Sequence, residues 1–291
     1  MRNYTIIELL GSGTFGTVFK GVHKFKPREM VAIKREPLTI EFPMLRQEAK
    51  IYQYMTNTTG IPSFRWFGLD NEYYYLVTEL LGISLDKYIS ILNNSNNLDI
   101  NYIINTIGTR LISIIENIHN HSLVHRDLKP DNFLFEYIEE THANNNNNNL
   151  YDNHIGSGYS VSQINPSKLF IIDFGFSTLY MDNTTHVQCE KTNGLIGSLN
   201  YASINAHKRV TISRRDDLES IGYILLFLTN KMILPWQHLS DENAIMNEKE
   251  NWVQWVISQR ETSILGNYFY IIQSLLYSET PNYNKLKSLL K

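Results

Sequence analysis

The run His125-Arg126-Asp127-Leu128-Lys129-Pro130-Asp131-Asn132 constrains this chain more than any other stretch. It follows Ile100 to His119, whose apolar residues recur at helical spacing. A cluster this polar after a buried helix reads as a short loop, not as a continuing helix face. Within it, Asp127 can accept a proton from a hydroxyl, Lys129 can neutralise an oxyanion, and Asn132 can offer oxygen to a hard metal ion. His125 is read as a packed scaffold residue.

Three other signals stand in a fixed order around that loop. Gly11-Ser12-Gly13-Thr14-Phe15-Gly16-Thr17-Val18 joins two strand signals. A dinucleotide fingerprint requires a helix after the glycines, so a strand–loop–strand flap over phosphates is the better reading. Lys34 closes the strand Val31-Ala32-Ile33-Lys34, with its ammonium expected to face a cleft and hold α- and β-phosphates. Glu48, inside the helical pattern of residues 43–55, is its expected partner, whereas Glu41 falls before Pro43 and outside the helix. Asp173, in Asp173-Phe174-Gly175, follows the apolar strand Leu169 to Ile172 and joins Asn132 as an expected ligand of Mg²⁺. Asp217, near the start of an apolar helix, is read as a structural residue, an acid favoured there by the helix dipole.

The pattern divides the chain in two. Strand signals at 4–10, 17–22, 30–35, 63–68 and 73–78 make residues 1–81 a β-rich unit with one main helix. Residues 82–291 read as mainly helical, so the expected class is α+β with two lobes joined at Glu79-Leu80-Leu81-Gly82. Residues 136–167 interrupt this with an asparagine run, Asn144 to Asn149, and no periodic apolar residues; a flexible insertion with no chemical role is expected there.

Composition narrows the setting. At 43% hydrophobic and 19% charged the chain can bury a sizeable core. A net charge of −3 disfavours a broad nucleic-acid surface. Cys189 has no partner for an internal disulfide and suits a reducing compartment. The N-terminus has no secretory apolar region, and the longest apolar stretch, Ile221 to Leu228, cannot span a bilayer. The expectation is a cytoplasmic or nuclear monomer with no membrane and no nucleic-acid partner.

Along its whole length the chain resembles the casein kinase 1 family of Ser/Thr protein kinases. The matching stretches are Gly60 to Gly68, Glu79 to Gly82, His125 to Leu134, Tyr201 to Asn205 with His207, Ser213 to Ser220, and Leu234 to Gln237. Ser203-Ile204-Asn205 is the sharpest of them, since most kinases carry Ala-Pro-Glu there. The resemblance implies a bilobal protein-kinase fold, ATP and Mg²⁺ as cofactors, and transfer to Ser or Thr of protein substrates. It implies that Leu10, Val18, Ala32 and Leu134 sandwich adenine and that Glu79 and Leu81 offer backbone hydrogen bonds. Thr78 stands where relatives carry a larger residue beside that pocket. Asn200 stands where Arg is usual, and Ser240 to Asn247 replaces a basic run, so the family's preference for acidic or phosphorylated substrates is expected to be weak. The competing reading is a binding scaffold without transfer, which has no need of the intact set Lys34, Glu48, Asp127, Asn132 and Asp173.

Overall fold

A computed structural model describes residues 1, 3–13, 16–94, 99–138 and 163–291. The first lobe is a five-stranded sheet in the order β1-β2-β3-β5-β4. Its strands are β1 (Tyr4–Gly13), β2 (Gly16–His23), β3 (Lys26–Pro37), β4 (Phe64–Leu69) and β5 (Tyr73–Glu79), all paired antiparallel. Alternation along β3 sorts the two faces. Val31 and Ile33 pack with Tyr4, Tyr75 and Val77 in a small outer core. Ala32 and Lys34 point the other way, opposite Lys20 and Val18 on β2 and Thr78 and Leu76 on β5.

Helix α1 (Leu45–Tyr54) lies against this second face and buries Leu45, Glu48, Ala49, Ile51 and Tyr52. It begins after Pro43, as the sequence suggests, but Met44 gives it no side-chain cap. Glu36, fully buried on β3, caps it from outside, accepting hydrogen bonds from the N–H groups of Met44 (3.0 Å) and Leu45 (3.2 Å). The helix is thereby tied to the strand that carries Lys34.

Strand β6 (Leu81–Ser84) leads into the second lobe, where the short β7 (Leu123–Val124) precedes the polar loop; β6 pairs with β8 (Phe133–Glu136), which pairs in turn with β9 (Leu169–Ile171). The lobe's helices are α2 (Leu85–Asn94), α3 (Ile100–Tyr102), α4 (Thr109–Asn120), α5 (Ile204–His207), α6 (Arg214–Thr229), α7 (Glu242–Ser258), α8 (Ile264–Ser274) and α9 (Tyr283–Leu289). The single helix expected over Ile100 to His119 is broken by a π-helical segment, Ile103–Gly108, that buries Ile103, Ile104 and Ile107. Among the described residues no helix is long and apolar enough to cross a membrane.

The insertion expected at 136–167 is too wide at its flanks. Glu136 belongs to β8, Ile138 packs against the main core, and Ile164 is buried in it. Residues 139–162, with the asparagine run, lie outside the described residues.

Candidate active site

Lys34 lies on the cleft side of β3, where its Nζ donates to Glu48 Oε2 (2.8 Å) and to Asp173 Oδ1 (2.9 Å). Burial opposes the ammonium charge, but the two carboxylates outweigh it and hold Lys34 above the usual lysine range. Burial likewise raises the Asp173 carboxyl, and the Lys34 charge outweighs it, leaving Asp173 below its ordinary value. Three elements distant in sequence thus converge on one ion-paired group. Asp173 itself adopts a left-handed conformation, φ +68°. Such backbone costs a non-glycine residue about 1–3 kcal/mol and persists only where its surroundings hold it. Phe174 does that here, buried edge-on against Tyr52 of α1 (5.0 Å between centroids) and His125 (5.2 Å).

The polar loop is held from below by Asp217 on α6. Its Oδ2 accepts from the backbone N–H of His125 (2.7 Å) and from His119 Nε2 (3.0 Å), and its Oδ1 accepts from Arg126 N–H (3.0 Å). Arg126 also has positive φ, +70°, so these bonds fix a strained turn just before Asp127. His125 is the scaffold residue expected. Its Nε2 lies 3.2 Å from Ile172 O and its Nδ1 accepts from Asp127 N–H (3.3 Å), the pattern of a neutral ring, and burial pushes its pKa down.

Asp127 is 4% exposed. Its Oδ1 accepts from both the backbone N–H and the hydroxyl of Ser198 (2.8 Å each). Its Oδ2 faces Lys129 Nζ at 3.2 Å. Lys129 also donates to Ser198 Oγ (3.2 Å), closing a three-residue cluster. Asn132 donates its Nδ2 to Asp127 O (2.8 Å), and its amide oxygen makes no hydrogen bond among the described residues. An oriented carboxylate, a neighbouring ammonium and a free amide oxygen therefore meet at one edge of the cleft.

Over residues 4–279 the chain matches the family model of the protein kinase domain. The chain belongs to the protein kinase domain family. Domains of this family use ATP and Mg²⁺, and the kinase-domain geometry bears on how each would fit. No cluster of three or more His, Cys, Asp or Glu able to hold a metal occurs among the described residues. Mg²⁺ is commonly held by one or two protein oxygens together with substrate phosphates. Asn132, with its amide oxygen free of hydrogen bonds among the described residues, and Asp173 are the residues expected to offer such oxygens. Val18, Ala32 and Thr78 share the cleft face of the sheet, and Leu134 pairs with Ser84 at the start of the second lobe. Leu10 is half exposed at the sheet edge. The Glu79 N–H is engaged by Ser63 O (2.9 Å), and its carbonyl accepts from the Thr78 hydroxyl (3.5 Å). Gly11, Ser12, Gly13 and Gly16 form the β1–β2 hairpin, and Gly16, at φ +129°, occupies a position where a Cβ would lie 2.3 Å from Arg35 O. Thr14 and Phe15 lie outside the described residues.

Sequence reasoning missed Ser198 and Gly197. Gly197 has φ +95°, and a Cβ there would meet Arg126 O at 2.3 Å. Only glycine lets this segment approach the Arg126-Asp127 turn closely enough for Ser198 to reach Asp127. The Gly-Ser pair was the one available signal, and it resembles an ordinary turn. The Ser203-Ile204-Asn205 motif has a structural explanation in the kinase domain. Ser203 Oγ and Asn205 Nδ2 both donate to Asp216 Oδ1 (2.8 and 2.9 Å), and Ile204 N–H donates to Glu219 Oε1 (2.7 Å). Two buried acids of α6 thus hold the segment.

Proposed function

We propose that this kinase domain transfers the γ-phosphoryl group of MgATP to Ser or Thr of protein substrates and is casein kinase 1-like. The observation that carries the reading is the assembled Lys34–Glu48–Asp173 group beside an oriented Asp127. The charged parts that phosphoryl transfer requires form two contacting groups, Lys34–Glu48–Asp173 and Asp127–Lys129. Lys34 would hold the α- and β-phosphates, with Glu48 fixing its direction. Mg²⁺, held by Asn132 and Asp173, would neutralise charge on the phosphate oxygens. Asp127 orients the acceptor hydroxyl and takes its proton as the oxygen bonds to phosphorus. The bond to the β–γ bridging oxygen breaks, and ADP leaves with that electron pair. Lys129, 3.2 Å from Asp127, lies where it can neutralise the transferring group.

Substrate choice is proposed to differ from the acidic preference of the family resembled. Arg209 is paired with Glu242 (2.6 Å) and Lys208 with Glu250 (2.6 Å), both acids of α7. The Lys191 ammonium donates to the carbonyl of Lys208 (3.3 Å). Arg209, Lys208 and Lys191 therefore already have partners, and Asn200 offers no charge.

The test is phosphorylation of Ser/Thr peptide libraries by the purified chain with MgATP. Turnover is expected, and Asp127→Asn should lower it by roughly 10²-fold or more, the scale of general-base loss. Wild-type protein that binds ATP but transfers to no peptide would instead support a binding scaffold.

A further inference from the structure

Lys249 is a buried cation that the proposed chemistry does not use. It lies in the middle of α7, in a charged run, yet it is fully buried. Its Nζ donates to the carbonyls of Leu199 (2.7 Å) and Ala202 (2.7 Å) and sits 3.1 Å from His207 Nε2. Two aromatic faces complete the cage, Tyr223 and Trp236, at 4.9 and 5.4 Å from the ammonium to their centroids. No carboxylate pairs with it within 4.0 Å among the described residues; the nearest influence of that sign is the charge of Glu219. Burying an ammonium without a counter-ion is costly, and burial pulls Lys249 down to about 7. Carbonyl oxygens and ring faces offset that cost only while they stay in place.

What the cage holds is the segment beside the catalytic aspartate. Ser198 bonds Asp127 through both its N–H and its hydroxyl. Leu199, Asn200 and Ala202 follow, and each has its carbonyl tied inward, the first and third by Lys249 and Asn200 by Trp236 Nε1 (2.9 Å). With those carbonyls inward, the Leu199 side chain is left partly exposed, at 38%. Ser203 then caps α5 and docks on Asp216. The loop is thus anchored at both ends and along its inner edge, and Lys249 supplies two of the inner contacts.

We propose that Lys249 is a positioning residue for the acceptor peptide: its buried ammonium pins loop 198–202 to the second lobe, and so sets Ser198 against Asp127 and Leu199 toward the substrate. The proposal rests on the phosphotransfer reading. It makes a distinction that a purely structural lysine would not. ATP meets Lys34 and the first lobe, whereas the peptide meets the loop. Loss of Lys249 should therefore act on the peptide and leave nucleotide binding alone.

The experiment compares wild type with Lys249→Met, which keeps the side chain's length and removes the donor, and Lys249→Gln, which keeps a donor pair. Val253→Ala, one turn along the buried face of the same helix, serves as a packing control. For Lys249→Met, kcat/KM for peptide should fall about tenfold or more, the scale of one buried acceptor left unpaired. KM for ATP should stay within about twofold. Lys249→Gln should lie between the two, and Val253→Ala should lose thermal stability without the peptide effect. Amide exchange at Tyr201 and Ala202, whose N–H groups bond Ser198 O, should quicken in Lys249→Met. A matching fall in Val253→Ala, equal losses for ATP and peptide, or loss of fold in both lysine variants would overturn the proposal. A wild type that binds ATP and phosphorylates nothing refutes the phosphotransfer reading instead. The exchange measurement then decides the lysine's role by itself, with unchanged rates at Tyr201 and Ala202 refuting it.

Discussion

Asp217→Asn should cost this protein both stability and turnover, by an amount that follows from its contacts. The carboxylate is 1% exposed and accepts three hydrogen bonds, from His125 N–H, Arg126 N–H and His119 Nε2. Burial raises its carboxyl, but the His119 contact and the loop amide outweigh burial and hold it below the usual carboxylate range. Asparagine keeps the shape and has one oxygen. If that oxygen meets His125 N–H, the amide NH₂ is turned against Arg126 N–H, donor against donor. One buried N–H is then unpaired, at about 1–3 kcal/mol, and the remaining bonds lose their charge assistance, at about 1 kcal/mol each. The expected loss is roughly 3–5 kcal/mol, a large part of the ~5–15 kcal/mol typical of a domain. Arg126 at φ +70° is the residue these bonds restrain, so its relaxation should carry Asp127 out of line. Urea unfolding measures the first effect. Turnover at a temperature where the variant remains folded measures the second. A stability loss under about 1 kcal/mol, or unchanged turnover in folded protein, would refute the argument.

Three further outcomes are expected. Thr78 is half-buried on the cleft face opposite Ala32, so an inhibitor with a bulky group aimed past it should bind wild type and lose about 1–3 kcal/mol of affinity in Thr78→Met; equal affinity would mean the side chain does not line the pocket. Burial and the Lys249 charge push His207 down from 6.5 to about 4, so between those values the unfolded chain binds a proton the folded one refuses, and stability falls as pH falls. Burial depresses His119 as well, while Glu219, raised from 4.5 to about 6 by burial and Asp216, acts in the opposite sense. The urea midpoint should drop from pH 7 to pH 5, and less so in His207→Gln; an identical drop in both would contradict this. Matched peptides with and without a phosphoserine N-terminal to the acceptor, at fixed low salt, should differ by less than about tenfold in kcat/KM. A larger advantage for the phosphorylated peptide would show that Lys208 and Arg209 leave their glutamates to bind it.

What the sequence determined by itself follows from local rules. Lys34 could be placed on a strand because three apolar residues precede it, and the register puts it on the face opposite Val31 and Ile33. Glu48 could be preferred over Glu41 because Pro43 sets where α1 can start, and the helix begins at Leu45. Asp127, Asn132 and Asp173 lie at element ends whose positions hydrophobic patterning reveals. The tertiary structure decided everything that depends on what a polar atom meets across the fold. Ser198 reaches Asp127 over 71 residues, and the Gly197-Ser198 pair that could signal it reads as an ordinary turn. Glu36 lies near the end of β3, and packing turns it into the cap of α1. Lys249 left a trace, since Ile245, Lys249, Val253 and Val256 share the buried face of α7 at helical spacing. Spacing shows which side chains turn inward; it carries no information on which carbonyls wait there, because those belong to a loop 50 residues away. A hydrogen bond needs a partner within about 3 Å. Only the packed chain supplies that distance.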